Sequence, residues 1–395
     1  MVGAFIRMLC GNKSSYTEWA QQLCTAIGTS VSKQAVFKRM NAQWVEVAKH
    51  LATSALDSLM PDKGGKQAKL PFKRILIQDS TTVALPDCMR TIFPGNYSRG
   101  KHKAAAKINL VINALSGKSL LLRILPFTKN EQSLSSSILS VAKAGDLVLR
   151  DLGYNVGSVF KALNKAGIYY ISRHRYGTNL YDPITGQPIS LKKLLGRKQA
   201  IDKQVLYSKK KIPVRLVALR CDEQVASEKI RKEKRNRDKR LNHSEEYYTC
   251  MRYAIFITNT DPQSVTPKQI FELYACRWQI EIVFKSWKQS LKLEQLIPAE
   301  QMHTYRVEAL LYLYLAYMAT FDQKVKSVVM KMNVHKQGIC ISCINLYRLA
   351  VNHLLSFTES DVKDFLLQFG YYMKLDKRLK PNASQHLRNV IDSFG

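Results

Sequence analysis

The chain has 395 residues and 46% of them are hydrophobic, so it is long enough for two or three folded domains with a substantial core. Its 61 Lys and Arg residues outnumber its 30 Asp and Glu residues, and the net charge of +31 is far more than solubility requires. Such a surplus indicates a polyanionic partner, with nucleic acid as the first candidate. A merely basic ribosome-associated or membrane-surface protein is the alternative.

The apolar segments and the cysteines narrow the class of protein further. The longest apolar run, Ala309–Ala319, is well short of the roughly 20 residues of a membrane span, so it predicts a buried helix and no membrane partner. The eight cysteines show no paired framework and no secretory signal precedes them, which predicts reduced thiols in a cytosolic protein. The single pair Cys340 and Cys343 is more typical of helix packing than of a zinc site.

Residues 1–69 predict a helical region followed by a linker. Tyr16–Ala26 predicts one helix, Gly28 ends it, and Ser32 can cap a second helix that runs on to about residue 56. Such a pair is typical of a helix-turn-helix DNA-binding unit, although any helical hairpin gives the same pattern. The Gly- and Lys-rich stretch Pro61–Lys69 predicts the linker. The basic residues of the second helix are Lys33, Lys38 and Arg39.

Residues 70–174 predict a strand-rich block. Arg74–Leu85 predicts a buried strand that contains Asp79, and two further strands over 106–115 and 119–127 predict a hairpin. Between them, Pro86–Lys103 predicts a loop with a basic patch that would contact phosphates if DNA passed nearby. The candidate phosphate contacts here are Arg99, Lys101, Lys103 and Lys107.

The second half of this block alternates helices and strands. Ser133–Ala144 predicts a helix, a short strand then ends close to Asp151, Val156–Lys165 predicts another helix, and a strand begins at Ile168. A buried carboxylate in a strand is costly unless a cation meets it, so the two strand aspartates are candidate site residues. A turn cap or a surface salt bridge is the ordinary alternative for each aspartate by itself.

Residues 175–262 predict a β-rich insertion and residues 299–395 a C-terminal helical domain. The insertion contains the run Glu228–Arg240, with eight basic and three acidic residues. Such a run is usually a solvated helix or a disordered loop, and in a DNA-binding chain it is also a candidate clamp for the DNA backbone.

The segment 263–298 predicts one long helix from Thr266 to Gln289. Thr266 supplies a cap, Pro267 suits the first turn, and no Gly or further Pro interrupts the segment. With Tyr274 set to zero on a helix of about 100° per residue, Arg277, Glu281 and Lys288 lie at about −60°, −20° and −40°. These polar side chains share one stripe beside an apolar one formed by Leu273, Ile280, Phe284, Trp287 and Leu291.

The polar stripe has two interpretations. Surface pairs four residues apart would explain the charges, but they do not require aromatic side chains beside the arginine. The spacing of Tyr274, Arg277, Glu281 and Lys288 also resembles the YREK signature of DDE transposases from insertion-sequence family four. The resemblance extends from about Arg74 to Lys288. Its other elements are Leu152-Gly153-Tyr154 after Asp151, similar to the family's DxG-aromatic pattern, and the strand Tyr170–Arg173, which ends in an arginine.

The resemblance implies a fold of the α/β (α+β) class. Its core would be a ribonuclease H-like mixed sheet with a β-rich insertion, flanked by N-terminal and C-terminal helical domains. Asp79, Asp151 and Glu281 would be the catalytic residues and would bind two Mg²⁺ ions, for which Mn²⁺ could substitute. The expected DNA contacts in the signature region are Tyr274, Arg277, Lys288, Trp278 and Arg173.

The implied function is cut-and-paste transposition of a bacterial insertion sequence, with strand cleavage, a hairpin intermediate and strand transfer. The expected partners are terminal inverted repeats and target DNA, bound by a homodimer in the nucleoid-associated cytoplasm. Two alternatives stay open: a catalytically silent DNA-binding descendant and a metal-dependent nuclease without strand transfer. The intact triad and signature favour the transposase, whereas a shortened N-terminus that lacks an end-binding element would favour the silent descendant.

The insertion departs from the family pattern because it contains no tryptophan. Family members typically stack a flipped base on an aromatic side chain, often a tryptophan of this insertion. The candidates to replace it are Trp278 and the tyrosines Tyr176, Tyr207, Tyr247, Tyr248 and Tyr253.

Overall fold

The computed structural model describes residues 15–57, 70–98, 100–116, 119–235, 244–289, 304–331 and 383–394, with Ser360 and a few positions among the first eight. Within these ranges, one mixed sheet has eleven strands. The strands are β1 Ile75–Leu85, β2 Pro94–Ser98, β3 Lys101–Asn113, β4 Ser119–Pro126, β5 Leu147–Arg150, β6 Tyr169–Arg173, β7 Leu180–Tyr181, β8 Pro188–Ile189, β9 Ala200–Tyr207, β10 Ile212–Arg220 and β11 Tyr253–Thr258. Their order across the sheet is β2-β3-β1-β5-β6-β11-β10-β9-β7-β8, with β4 paired to β3.

The centre of the sheet has the arrangement of a ribonuclease H-like core, as the resemblance implied. Strand β1 is parallel to β5, and β5 is parallel to β6. Strand β3 is antiparallel to β1, and the predicted hairpin of β3 and β4 is confirmed. The β-rich insertion extends the same sheet, because β11 pairs with the outer edge of β6 and β10 with β11.

The N-terminal helices are α1 Tyr16–Ile27, α2 Lys33–Arg39 and α3 Ala42–Asp57. Gly28 ends α1 in the left-handed conformation and the Ser32 hydroxyl caps α2, as predicted. The prediction of one continuous second helix is wrong, because Met40 leaves the helical conformation and the Asn41 side chain accepts the Trp44 N–H at 3.2 Å, which starts a new helix. The linker predicted over 61–69 lies outside the described residues.

Two further predictions in residues 86–144 are corrected. The predicted loop 86–103 contains a 3-10 turn, strand β2 and the start of β3, since the basic residues continue a strand that pairs with β2. The predicted helix 133–144 is a single turn, α4 Glu131–Leu134, followed by the 3-10 segment Ser135–Ser140. There the buried Ser135 and Ser137 hydroxyls bond to backbone carbonyls, which competes with regular helix formation.

The remaining helices of the described residues follow in order. They are α5 Gly157–Lys165, α6 Leu191–Leu195, α7 Glu223–Lys234, α8 Glu245–Met251, α9 Pro267–Ala275, α10 Trp278–Gln289, α11 Thr304–Lys331 and α12 Ala383–Asp392. Helix α7 contains the start of the basic run, whose remainder begins at residue 236 outside the described ranges. Residues 309–318 of the apolar run are buried in α11, as predicted, and this helix packs along α3. None of the described helices combines the length and apolarity needed to span a bilayer.

Strand alternation divides the interior into two cores, one on each face of the sheet. Ile75 and Ile77 lie in the same core as Ile280 and Phe284 of α10, whereas Leu76 lies in the other core. Side chains alternate with a period of two along a strand, so Asp79 continues the row of Ile75 and Ile77 and faces the side of α10.

Candidate active site

The helix predicted over 266–289 is two helices, α9 and α10, so the prediction of one long helix is wrong. A capping box of Thr266 and Gln269 starts α9, as the sequence indicates. At the break, the Arg277 N–H donates to the Tyr274 carbonyl at 3.1 Å and the Ile280 N–H to the Arg277 carbonyl at 3.3 Å. These bonds span three residues instead of four, so the chain tightens here without any Gly or Pro.

Arg277, at this break, connects the acidic side chains. Its side chain is 9% exposed, and its Nη1 lies 2.7 Å from Glu281 Oε1 and 3.6 Å from Asp79 Oδ2. Asp151 directly follows β5 and is close enough to raise the pKa of Arg277 electrostatically. The fold therefore brings Asp79 and Glu281 onto one guanidinium, from a strand and a helix, and places the exposed Asp151 at a strand end close enough to act on it electrostatically.

The Asp79 carboxylate is held in an unfavourable environment. Burial raises its pKa from the ordinary 3.8 to about 6, and the negative charges of Asp151 and Glu281 add to the increase. The Ser80 N–H, which donates to Asp79 Oδ1 at 2.8 Å, and the Arg277 guanidinium act in the opposite direction. A carboxylate with a strongly raised pKa beside other acids is a feature of functional sites.

Arg277 and Tyr274 have polar atoms without partners. Burial lowers the pKa of Arg277, but Tyr274 and the three acids raise it, and the net direction is upward. Tyr274 is 4% exposed, and its hydroxyl makes no hydrogen bond of normal geometry although the guanidinium is nearby. Arg277 Nε is also buried without a partner. Both groups can donate hydrogen bonds, so this side of the site lacks acceptors.

Two other predicted DNA-contacting residues surround this pair. The Arg173 guanidinium lies 5.5 Å from the centroid of the Tyr274 ring. Trp278 is 57% exposed and its ring centroid lies 5.4 Å from the guanidinium carbon of Arg277. Lys288 is partly buried near the end of α10. The structure therefore groups Tyr274, Arg277, Trp278 and Arg173 on one side of the acidic residues.

The basic patch differs from the prediction at Lys107. Lys107 is 5% exposed and its Nζ lies 2.8 Å from Glu131 Oε1, so its ammonium faces an internal partner and not a DNA surface. Lys103 is exposed on β3, Lys101 lies on β3 with a side chain outside the described set, and Arg99 lies outside the described residues. Sequence reasoning missed Glu131, which is half-buried, although a lysine in an apolar strand signals that an acidic partner within the protein is needed.

The tyrosines proposed for base stacking separate into two groups. Tyr207 and Tyr253 are buried, and their hydroxyls donate to Asn155 Oδ1 at 3.1 Å and to the Lys198 carbonyl at 2.9 Å, so they are not available to a base. The other three form an aromatic cluster at the protein surface, in which the Tyr176 and Tyr247 ring centroids are 4.9 Å apart and those of Tyr247 and Tyr248 are 5.9 Å apart.

The acidic residues have the donor chemistry of a magnesium site. Carboxylate oxygens are the ligands that hard divalent cations prefer. Burial, with smaller contributions from Asp151 and Glu281, raises the pKa of Asp79, so a bound cation would favour its ionised form. In the described part of the chain, however, no three His, Cys, Asp or Glu side chains already form a metal-binding arrangement. Instead, the Arg277 guanidinium contacts the Asp79 and Glu281 carboxylates.

Comparison with known proteins identifies the family. The family model for the transposase DDE domain matches residues 70–311. The chain belongs to the DDE transposase family. Its members cleave DNA and transfer strands, and they generally use divalent metal ions. The match confirms the prediction that the chain is a DDE transposase.

Individual relatives are distant in sequence. The transposase of IS231F from Bacillus thuringiensis subsp. israelensis is 28% identical over 74% of this chain and 66% of its own length. That of IS231E from Bacillus thuringiensis subsp. finitimus is 25% identical over 96% of this chain and 84% of its own length. The transposase of IS1151 from Clostridium perfringens is 27% identical over 76% of this chain and 68% of its own length.

One solved structure is also similar, the piggyBac transposase synaptic complex with hairpin DNA. It matches 80% of this chain and 60% of its own chain, with 10% identity and a TM-score of 0.35.

Proposed function

We propose that this DDE transposase moves a bacterial insertion sequence by a cut-and-paste route, with Asp79, Asp151 and Glu281 as its catalytic carboxylates. The observation that supports this most is that Asp79 and Glu281 both contact Arg277 from separate elements, while Asp151 is close enough to act on it electrostatically. An ordinary structural ion pair needs one carboxylate, whereas several mutually repelling carboxylates are costly unless they serve a site.

The three carboxylates would hold divalent ions, and we propose two Mg²⁺, for which Mn²⁺ can substitute. Held by these carboxylates, the ions would supply Lewis-acid chemistry for an in-line phosphoryl displacement, at the attacking water or 3′-hydroxyl and at the leaving oxygen. The protein supplies the ligands from rigid elements: Asp79 within β1, Asp151 at the end of β5 and Glu281 in the first turn of α10. Ser80 fixes one Asp79 oxygen through its backbone N–H.

Arg277, Tyr274 and Arg173 would bind the DNA backbone beside the carboxylates. The Tyr274 hydroxyl and Arg277 Nε are buried donors without acceptors, and phosphate oxygens are acceptors. Arg277 can also present a planar fork to a phosphate, whereas Lys288 would act as a point charge. The exposed Lys103 and the basic helix α7 would add phosphate contacts that are independent of sequence.

A flipped base would stack on Trp278 or on the aromatic cluster at the protein surface. Trp278 is exposed beside Arg277, which places a ring next to the proposed backbone contact. The cluster of Tyr176, Tyr247 and Tyr248 has a cation beside it, because Lys234 Nζ lies 5.4 Å from the Tyr248 ring centroid. We propose that the base is flipped in the hairpin intermediate.

The proposed partners are the terminal inverted repeats and target DNA. A homodimer would hold both ends of the element, in the nucleoid-associated cytoplasm of a bacterium. Helices α1 and α2 would supply a helix-turn-helix-like contact, since Lys33, Lys38 and Arg39 are all exposed.

The test uses end-labelled transposon-end DNA with Mg²⁺ and separates nicking, hairpin formation and joining on denaturing gels. We expect Asp79→Asn, Asp151→Asn and Glu281→Gln each to abolish nicking while DNA binding stays near normal, because each change removes one ligand charge. The matched control is Asp222→Asn, an exposed aspartate of the insertion whose side chain makes no cap bond. Substantial nicking by any two of the three variants would refute the proposed residues. Cleavage without joining by the unaltered chain would indicate a nuclease, and no cleavage at all a silent descendant.

A further inference from the structure

We propose that Glu131 is a positioning residue that holds the two backbone segments carrying Asp79 and Asp151 at their working separation. The proposal rests on the catalytic role proposed for those two aspartates. Glu131 lies on the face of the sheet opposite α10 and contacts both segments, one through its carboxylate and one through its aliphatic stem.

The carboxylate of Glu131 controls the Asp79 segment through Ser80. The Ser80 hydroxyl donates to Glu131 Oε1 at 3.2 Å on one face of the sheet. The backbone N–H of the same residue donates to Asp79 Oδ1 at 2.8 Å on the other side. A rotation of the Ser80 peptide would break both hydrogen bonds, so the hydroxyl bond resists any turning of the Asp79 side chain away from the site.

The stem of Glu131 controls the Asp151 segment through Gly153. A Cβ on Gly153 would lie 3.1 Å from both Cβ and Cγ of Glu131, closer than atoms normally pack. Gly153 belongs to the 3-10 turn Leu152–Tyr154, which begins at Asp151 and returns the Tyr154 N–H to the Asp151 carbonyl at 3.1 Å. Packing against Glu131 therefore fixes the distance between α4 and the turn that follows Asp151, and any side chain at Gly153 would push the two apart.

Lys107 fixes the Glu131 carboxylate in place, and the contacts of Glu131 with Ser80, Gly153 and Lys107 are called the Glu131 brace below. Its Nζ lies 2.8 Å from the same Glu131 oxygen and 5.3 Å from the centroid of the Phe127 ring, and the side chain is 6% exposed. Lys107 lies on β3 opposite Thr82 of β1, so the ion pair joins α4 to the neighbouring strand. Burial alone would raise the pKa of Glu131, but hydrogen bonds from Lys107 and Ser80 outweigh it and lower the pKa, so the carboxylate stays ionised.

The chain offers a matched control at the other end of the same two strands. Arg74 Nε donates to Asp146 Oδ1 at 3.0 Å, and these residues directly precede β1 and β5. This pair and the Glu131 brace both join the β1 and β5 segments, but only the brace lies beside the aspartates. A general effect of loosening the strands is therefore separable from an effect on the site.

The experiment measures Mn²⁺ binding to the full chain without DNA, by electron paramagnetic resonance of free Mn²⁺, and unfolding in urea. We expect Glu131→Ala to weaken Mn²⁺ binding by about 10- to 100-fold, the usual effect of removing a group that orients a metal ligand. Asp146→Asn should lower stability and leave Mn²⁺ binding unchanged. Asp79→Asn should abolish tight Mn²⁺ binding.

A double variant separates geometry from charge and remains informative if Glu131→Ala does not fold. Glu131→Gln alone leaves the buried Lys107 ammonium unpaired, which is costly. Adding Lys107→Met removes that ammonium, while the amide oxygen that Glu131→Gln introduces still accepts from Ser80. We expect the Glu131→Gln, Lys107→Met double variant to regain much of the Mn²⁺ affinity and nicking rate that Glu131→Gln loses.

Three results would overturn the inference, and a fourth would overturn its premise. Mn²⁺ affinity within about threefold of the parent in Glu131→Ala, well below the expected loss, would show that Glu131 does not position the ligands. An equal loss of affinity in Asp146→Asn would reduce Glu131 to a general structural role. A double variant no better than Glu131→Gln would contradict the Ser80 hydrogen bond as the acting contact. Unchanged Mn²⁺ binding in Asp79→Asn would instead reject the proposed catalytic residues.

Discussion

Replacing Asp79 by its neutral counterpart Asn should make the metal-free protein more stable above neutral pH. The native environment moves the pKa of Asp79 from 3.8 to about 6, mainly through burial. At about 1.4 kcal/mol for each tenfold change in proton affinity, the ionised carboxylate costs the native state about 3 kcal/mol at pH 8. Asn carries no charge, so Asp79→Asn should recover up to this amount.

The sign of the pH dependence follows from the raised native pKa. Below pH 3.8 the carboxyl is protonated in both the native and the unfolded state, and the cost vanishes. The cost grows as pH rises and is fully present above pH 6. The stability advantage of Asp79→Asn should therefore shrink from about 3 kcal/mol at pH 8 to about 1.6 kcal/mol at pH 5.

The assay is urea unfolding of both proteins in EDTA at pH 8 and pH 5. Chelation matters because a bound cation would favour the ionised form and reverse the comparison. If the Arg277–Asp79 contact were instead an ordinary stabilising ion pair, Asp79→Asn would lose stability at pH 8. That result would refute the interpretation of this carboxylate as one held at the expense of stability.

Three further outcomes are expected for the unaltered chain and its variants. Affinity for DNA should fall by orders of magnitude between low and moderate salt because of the +31 charge, and a flat salt titration would contradict a polyanionic partner. Arg277→Ala should weaken hairpin formation and resolution more than first nicking, whereas Lys288→Ala should only modestly weaken end binding; equal loss at every step would make Arg277 structural. Trp278→Ala should reduce the fluorescence change of a 2-aminopurine at the flipped position, and Tyr207→Phe, a buried control, should not; the reverse order would exclude Trp278 as the stacking residue.

The parts of the fold that could be predicted are those where local signals agree with long-range packing. The strands around Asp79 and Asp151 are apolar, β-branched and bounded by turns, so their positions follow from sequence. Their period of two also sets which face Asp79 occupies. The start of α9 follows from the Thr266 side chain and Pro267, because the capping chemistry is entirely local.

The remaining features depend on contacts between residues far apart in sequence or on backbone changes with no residue signature. No Gly or Pro marks the tightening between Cys276 and Ile280, so residue spacing suggested a continuous helix. The pair of Lys107 and Glu131 joins residues 24 positions apart, so the lysine resembled one more member of an exposed basic patch. The i,i+4 contact of Arg277 with Glu281 nevertheless survives the break.

The site has carboxylates without balancing cations and buried donors without acceptors, and one kind of substrate would supply both. Asp79, Asp151 and Glu281 carry three negative charges, and Arg277, which contacts two of them, carries only one positive charge, so the acidic side has an excess that cations would balance. On the other side, the Tyr274 hydroxyl and Arg277 Nε are buried donors that lack acceptors. A group that brings only cations would leave the donors unsatisfied, and a neutral ligand would leave the excess charge. A phosphodiester accompanied by divalent cations satisfies both sides at once, because its oxygens accept from the donors and its cations meet the carboxylates.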